Sequence, residues 1–411
     1  MNRVPRSLMR ALIISTRLAL AAGVGARPIV AQSTATVVRE LAPGVSYWHS
    51  VDARGPWSIH VVRVDLRRAA VDLRAARAGN TLRGRERTSE MARRASAGGE
   101  HVLAAVNADF FDLKSGENEN NQIVAGEWWK GLKVTESPFD TYDNVHAQFA
   151  VDVGGHPVID RFVLDGRAWV RGVMTPIITL NANPSGAPEG TALYTSRFGA
   201  NTPHDTTRQT VEAALASAGR RGDTLVYVRR GAVAAASGSL IPSDGAVLAA
   251  YGARVKEVQA MVDGDTVRVL LTTLPRMPRG AAPTLIIGGW PRILRDGQNV
   301  AGDAATVEGT ISRNAEVRHP RTAVGYSRDG RTLWLYAVDG RSTASVGMTL
   351  VEMANELRRM GAWQAMNFDG GGSTTMVIDG TVVNTPSDPT GEREVGNALL
   401  VVARPRGRTA R

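Results

Sequence analysis

The sequence predicts an α+β fold, a single large mixed-sheet domain with several helices and long loops. Three observations predict it. Short β-rich segments punctuated by glycine and proline run the length of the chain, helical periodicity is confined to a few stretches, and no internal repeat, low-complexity tract or obvious linker divides it. With 411 residues, 43% of them hydrophobic and 21% charged, the chain has the apolar material for a large core.

The first 31 residues read as an export signal. MNRVPRSLMR supplies a positive n-region, ALIISTRLALAAGVGA an apolar stretch broken by Arg17, and PIVAQ a small-residue cleavage site after Ala31. A disordered leader or a mis-assigned start is the alternative reading. No later apolar run reaches the roughly 18 residues of a membrane span. The mature chain is therefore expected to be exported, periplasmic or extracellular, with no membrane span. Arg3, Arg6, Arg10, Arg17 and Arg27 fall in this segment without an acid, and account for half of the net charge of +10.

Residues 32–100 form a strand-rich segment: VSYWHSVD, SIHVVRVDL and AAVDLRAAR carry strand composition. TSEMARRASAGG then reads as a helix, with Thr88 or Ser89 as its cap and Gly98 and Gly99 as its stop. Residues 101–404 are expected to form the main domain, which opens on the apolar run HVLAAVNADFF. GEWWKGLKV and FAVDVGGHPVID suggest hairpins. RQTVEAALASAG, residues 208–219, is a second helix candidate among strands such as DTLVYVRR and DTVRVLLTTL.

The last third is the most legible. RTAVGYSRDGRTLWLYAVDGR gives two strands around the Asp329-Gly330 turn. Thr349 and Glu352 form a capping box for the helix TLVEMANELRRMG, whose apolar face is Leu350, Met353, Ala354, Leu357 and Met360. AWQAMNF is a buried strand ending at Asp369, and STTMVIDGTVVN a hairpin turning at Asp379-Gly380.

Composition narrows the chemistry. The positive charge is mostly arginine, since only Lys114, Lys130, Lys133 and Lys256 are lysines, and no dense basic run is interleaved with aromatics, so nucleic acid is not an expected partner. Zero cysteines exclude disulfides, thiol nucleophiles and thiolate metal sites. The seven histidines show neither H-x-H nor H-E-x-x-H, so zinc has little support. No cofactor is predicted, although Asn107, Asp109 and Asp112 offer alternating oxygens that leave a divalent cation such as calcium open. Oligomeric state is left open.

One carboxylate directly before three glycines, in NFDGGGST, stands out. Asp-Gly pairs recur as turns here, and Asp339-Gly340 reads first as another. Three glycines after Asp369 exceed what a turn requires. Their amides are well suited to cradle an anion as a backbone nest.

The ordered segments NADFF (107–111), IIGGWPRILRDG (286–297), HPRTAVGYSRDG (319–330), VDGR (338–341), NFDGGGSTTM (367–376) and REVGNALLV (393–401) resemble the phosphodiester glycosidase family. The pair NFDGGGST and HPRTAVG is specific, whereas NADFF or VDGR alone is weak. Trp290 departs from the pattern, standing where a third glycine is expected before the proline, which bears on substrate shape.

The resemblance implies hydrolysis of a sugar-1-phosphodiester to free sugar and phosphomonoester. Such chemistry needs forked cations and amides for the phosphate, and carboxylates at the anomeric carbon. Asp369 and Asp339 are the first pair, with Asp109 third. Arg321, Arg341 and the amides of Gly370, Gly371 and Gly372 are the candidate anion ligands. His319, Asn107, Asn367, Ser373, Arg393 and Asn397 complete the candidate substrate-binding set, with Arg393 and Asn397 expected on one face of a strand. The substrate is a glycosyl phosphodiester or anionic glycan, in the envelope or outside it. A non-catalytic anionic-glycan-binding envelope protein and a metal-dependent phosphodiesterase are the alternatives.

Overall fold

The computed structural model describes residues 34–133, 146–186, 188–309 and 316–404. The signal-like segment lies outside them. The mixed-sheet domain expected from the sequence holds, among the described residues, two antiparallel sheets packed face to face, a twelve-stranded sheet of which seven strands close into a barrel, and a two-stranded ribbon. Strand dominates, so the fold is mostly β with a few helices.

The first sheet has eight strands, and its centre is Trp57–Asp65, Thr332–Val338, Arg321–Tyr326 and Gln364–Asn367 in spatial order. The second has five, centred on Met376–Ile378, His101–Asn107 and Asn397–Ala403, with Val71–Arg77 on its edge. Val62, Val64, Val324, Leu335 and Met366 of the first sheet meet Leu103, Val106, Leu399 and Met376 of the second in one core. The outer face of each sheet carries a helix. Leu350–Arg359 lays Leu350, Met353, Ala354 and Leu357 over Ile59, Val61 and Tyr336, and Thr88–Ala97 lays Met91 and Ala92 over Ala105 and Leu400. Helix, sheet, sheet, helix is the order of layers. Central strands are thus covered on both faces, which explains their continuous apolar runs.

The helix caps differ in kind. Thr349 and Glu352 make the expected reciprocal box, with Thr349 N donating to Glu352 Oε2 at 2.9 Å and Glu352 N to Thr349 Oγ1 at 3.1 Å. At the other helix neither Thr88 nor Ser89 caps. A remote carboxylate does so instead, Glu392 accepting from the Ser89 amide at 2.8 Å and its hydroxyl at 2.6 Å.

The second predicted helix is a strand. Val211–Arg221 pairs antiparallel with Thr224–Arg229 and Gly245–Tyr251, and Val211, Ala213 and Leu215 alternate into the core. Alanine-rich composition favours helix locally, but two flanking strands and a period-two apolar face override it. This strand belongs to a barrel built from residues 163–274. Seven strands run around it, closed where Val173–Leu180 pairs parallel with Gly190–Thr195. The chain enters the barrel after the Gln148–Asp152 and Pro157–Asp160 hairpin and leaves it at Pro283–Gly288, which pairs with Gln148–Asp152; these strands extend the barrel's sheet and pack on the core of the sandwich.

Candidate active site

Two neighbouring strands of the first sheet end at one place. Gln364–Asn367 runs on into Phe368 and Asp369, while Arg321–Tyr326 begins there with His319 and Pro320 just ahead of it. The ends enclose a cavity of about 170 Å³. His319, Arg321, Arg341, Asn367, Asp369, Gly370 and Gly371 form its polar side, and Phe110, Trp290, Pro291 and Leu350 its apolar side. Asp369 is the one carboxylate among these residues.

The triple glycine makes room rather than a nest. A Cβ at Gly370 would lie 2.7 Å from the Pro320 carbonyl, at Gly371 2.8 Å from Arg341 Nη2, and at Gly372 inside the contact distance of both Arg393 and Asp388. Four different residues occupy the space that side chains would take. The amides of Gly370 and Gly371 are already spent, donating to Asp369 Oδ1 at 2.8 Å and to the Pro320 carbonyl at 2.8 Å.

Asp369 is half-buried and its main chain is pinned on both sides. Its N–H donates to the Ala108 carbonyl at 2.7 Å, and its carbonyl accepts from the Asn107 side chain at 2.7 Å. Burial pushes its carboxyl up to about 6, against the lowering pull of Ser373, the Gly370 amide, Arg393 and Arg321. The two cations at the site differ. Arg321 is buried, and donates Nε to the Met348 carbonyl at 3.0 Å and Nη2 to the Val317 carbonyl at 2.9 Å; burial brings it down to about 10. Arg341 is exposed, holds a left-handed backbone at φ 61°, and reaches Ser387 Oγ at 3.3 Å. His319 is pulled below its ordinary value by burial and by the nearby Arg321 and Arg341, so it is neutral at neutral pH. Its Nδ1 is buried with no hydrogen-bond partner among the described residues, as is Asn367 Oδ1.

Trp290 forms a rigid wall. It stacks on His146 with ring centroids 4.0 Å apart, meets Phe110 edge-on at 5.8 Å, and donates its indole N–H to the Glu308 carbonyl at 3.0 Å.

Other predicted residues stand apart from the cavity. Asp109 is fully buried just past the end of strand His101–Asn107, accepting from the Asn120 amide at 3.1 Å and the Asn120 side chain at 2.7 Å. Asp112 caps its own turn, accepting from Ser115 N at 2.7 Å. The oxygens proposed as alternating cation ligands thus face different places. Asp339 is buried behind Arg341 and bound to Ser58 and Thr385. Arg393 and Asn397 do not share a face, because the strand breaks at Gly396. Arg393 grips Asp388 at 2.7 and 3.0 Å and lies 3.5 Å from Ser373, whereas Asn397 is buried and accepts from the Asp109 amide at 2.9 Å. Asp388, Phe110 and Leu350 were not foreseen. Asp388 sits in an ordinary turn sequence, SDPTGE, and nothing local marks it.

Residues 216–402 match the family model described as phosphodiester glycosidase. All of the cavity lining except Phe110 falls in that range. Among curated proteins the chain is 39% identical over 95 residues to N-acetylglucosamine-1-phosphodiester alpha-N-acetylglucosaminidase of Mus musculus and 38% over 95 residues to that of Homo sapiens, in each case 23% of this chain and 18% of the relative. It is 33% identical over 123 residues, 30% of this chain and 18% of the relative, to the SPbeta prophage-derived uncharacterized protein YomE of Bacillus subtilis strain 168. The matched stretch is thus about a fifth of the length of these relatives. Among solved structures, a hypothetical protein from Synechocystis superposes with a TM-score of 0.68 at 22% identity, covering 88% of this chain and 62% of that one. A protein described as exported, from Burkholderia pseudomallei K96243, gives 0.62 at 24%, covering 84% and 74%. These two likenesses bear on fold alone.

Proposed function

We propose that this chain, whose residues 216–402 carry a phosphodiester glycosidase domain, hydrolyses a sugar-1-phosphodiester at the glycosyl C–O bond, releasing free sugar and a phosphomonoester. The observation that carries the reading is the meeting of Asp369 with two guanidiniums and an aromatic wall in one small cavity.

The chemistry explains why a single carboxylate suffices. Glycosidases that expel an alcohol use a second carboxyl group as acid, because an alkoxide is a poor leaving group. A phosphomonoester leaves as a dianion whose conjugate acid has a pKa of about 6, a far better leaving group than an alkoxide. Cationic hydrogen-bond donors replace the acid. The electron pair of the breaking C–O bond stays on the departing phosphate oxygen, to which Arg341 donates hydrogen bonds with the charge of Arg321 behind it. Asp369, ionised above about pH 6, receives a proton from the water that attacks the anomeric carbon, and stabilises positive charge as it develops there. Neutral His319 adds no charge of its own, and Phe110 and Trp290 offer apolar surface to a sugar face.

A carboxylate at the cavity also argues against a module that merely binds anionic glycans, since it repels the ligand. Export, and an envelope or extracellular glycan as substrate, are part of the proposal. They rest on the N-terminal composition, with its positive n-region and apolar stretch. Among the described residues no helix is long and apolar enough to cross a membrane.

Turnover in water enriched in heavy oxygen tests the bond assignment. The label is expected in the liberated sugar. Label in the phosphomonoester would mean P–O cleavage and would replace this reading with that of a phosphodiesterase.

A further inference from the structure

We infer that the hydrogen-bonded chain Tyr47, His60, Asp339 and Thr385, with His60 and Asp339 buried at its centre, is a brace that positions the guanidinium of Arg341 at the candidate site and that of Arg393 beside it; the inference rests on the phosphodiester reading of that site. Asp339 does not line the cavity, and both of its carboxylate oxygens are engaged elsewhere. Oδ1 accepts from the Thr385 amide at 2.8 Å; Oδ2 accepts from the Ser58 hydroxyl at 2.9 Å and faces His60 Nε2 at 3.4 Å. The Asp339 carbonyl accepts from the Ser345 hydroxyl at 2.6 Å.

The far side is built with the same care. His60 Nδ1 lies 2.9 Å from the Tyr47 hydroxyl, so the hydroxyl donates to Nδ1 and the ring keeps its proton on Nε2, facing Asp339. His49 stacks on His60 with centroids 4.4 Å apart and reaches Ser58 Oγ at 2.9 Å. Tyr47 and His49 come from strand Val45–Asp52, and His60 and Ser58 from Trp57–Asp65. Arg39 on the adjoining strand adds its charge near Tyr47. Burial alone asks for an apolar residue at position 339. A carboxylate there is retained at a desolvation cost, which is offset only by what its partners hold in place.

What they hold is the cationic side of the cavity. Arg341 is two residues beyond Asp339. Thr385 opens the short segment in which Ser387 receives Arg341 Nη1 at 3.3 Å and Asp388 receives Arg393 at 2.7 and 3.0 Å. One carboxylate thus anchors both the turn that presents Arg341 and the loop that receives the two guanidiniums.

The test compares Asp339→Asn, His60→Leu and His60→Gln in the full chain, using variants with wild-type near-ultraviolet dichroism. Asparagine keeps the shape and the Thr385 acceptor; glutamine keeps an amide donor near the position of Nε2. Three readouts are taken: KM and kcat on a sugar-1-phosphodiester, affinity for inorganic phosphate, and hydrogen exchange across residues 384–393. Asp339→Asn and His60→Leu are expected to weaken phosphate binding and lower kcat/KM about tenfold, with faster exchange at Thr385, while His60→Gln recovers most of the loss. A fall of about a hundredfold in kcat at unchanged KM would overturn the inference by placing Asp339 on the reacting atoms. Unchanged phosphate affinity and exchange would overturn it in favour of plain packing. Wild-type protein that turns over no sugar phosphodiester, yet shows the expected shifts in phosphate affinity and exchange, would leave the brace standing and remove the proposed activity.

Discussion

The side-chain amide of Asn107 donates to the main-chain carbonyl of Asp369 at 2.7 Å, linking two strand ends 262 residues apart in sequence. The other end of that carboxamide accepts from the Thr322 hydroxyl at 2.8 Å and the Thr375 amide at 3.0 Å. Three strands are thereby fixed around one acid. Asn107 was read from sequence as a ligand for substrate; it instead sets the backbone from which Asp369 meets the cavity.

Asp369→Asn is expected to retain the fold and lose about 10²- to 10⁴-fold in kcat on a sugar-1-phosphodiester. It should also gain stability in a defined pH window. The folded pKa is raised from 3.8 to about 6, so the protonated carboxyl stabilises the fold fully below about pH 4, and that contribution is lost as pH rises through 6. Asparagine never ionises. Denaturant titration should show the variant more stable than wild type above pH 6, by about 2–3 kcal/mol at most, and level with it near pH 4. Equal stability at pH 8 would mean that the carboxylate is well solvated.

The acid limb of kcat is expected to have its midpoint near pH 6, set by Asp369. His319 titrates below its ordinary value, lowered by burial and by the nearby Arg321 and Arg341. His319→Ala should therefore leave the midpoint in place, whereas residual activity of Asp369→Asn should lack the limb. A midpoint that moves in His319→Ala would transfer the assignment to the imidazole.

Arg341→Ala is expected to raise KM about 10- to 100-fold with little change in melting temperature, since its guanidinium is exposed and bonded only weakly to Ser387. Added salt should weaken wild-type binding more than binding by the variant. Arg321→Ala is less clean. It removes a buried guanidinium that donates to the Met348 and Val317 carbonyls, so a lower melting temperature should accompany the weaker binding.

Gly372→Ala drives a methyl group into the Arg393 and Asp388 pair, and is expected to cost about 1–3 kcal/mol and lower kcat/KM. Gly302→Ala is the control, because nothing lies within 4 Å of the added carbon there. Wild-type activity in Gly372→Ala would show that the ion pair can shift without consequence.

Local signals were legible wherever the chain consults only its neighbours. The capping box at Thr349, the Asp329-Gly330 and Asp379-Gly380 turns and the strand running into Asp369 all stand as read. What escaped depends on distant partners. The stretch 211–221 is alanine-rich and helical by propensity, and becomes a strand because two others flank it. Asp339 and Asp109 precede or follow apolar runs as Asp369 does, yet the fold turns them towards His60 and Asn120. Asp388 had no signal at all, because its meaning lies in Arg393 and in the missing side chain of Gly372.

The closed barrel supplies none of the residues around Asp369, although its chain interrupts the sandwich midway. Its points of departure and return lie on either side of a single short strand, a gap that a handful of residues can bridge. Selection can therefore rework this module, lengthen it or trade it for another without disturbing the cavity at Asp369. The same route is open to an engineer who wants the reaction on a smaller scaffold.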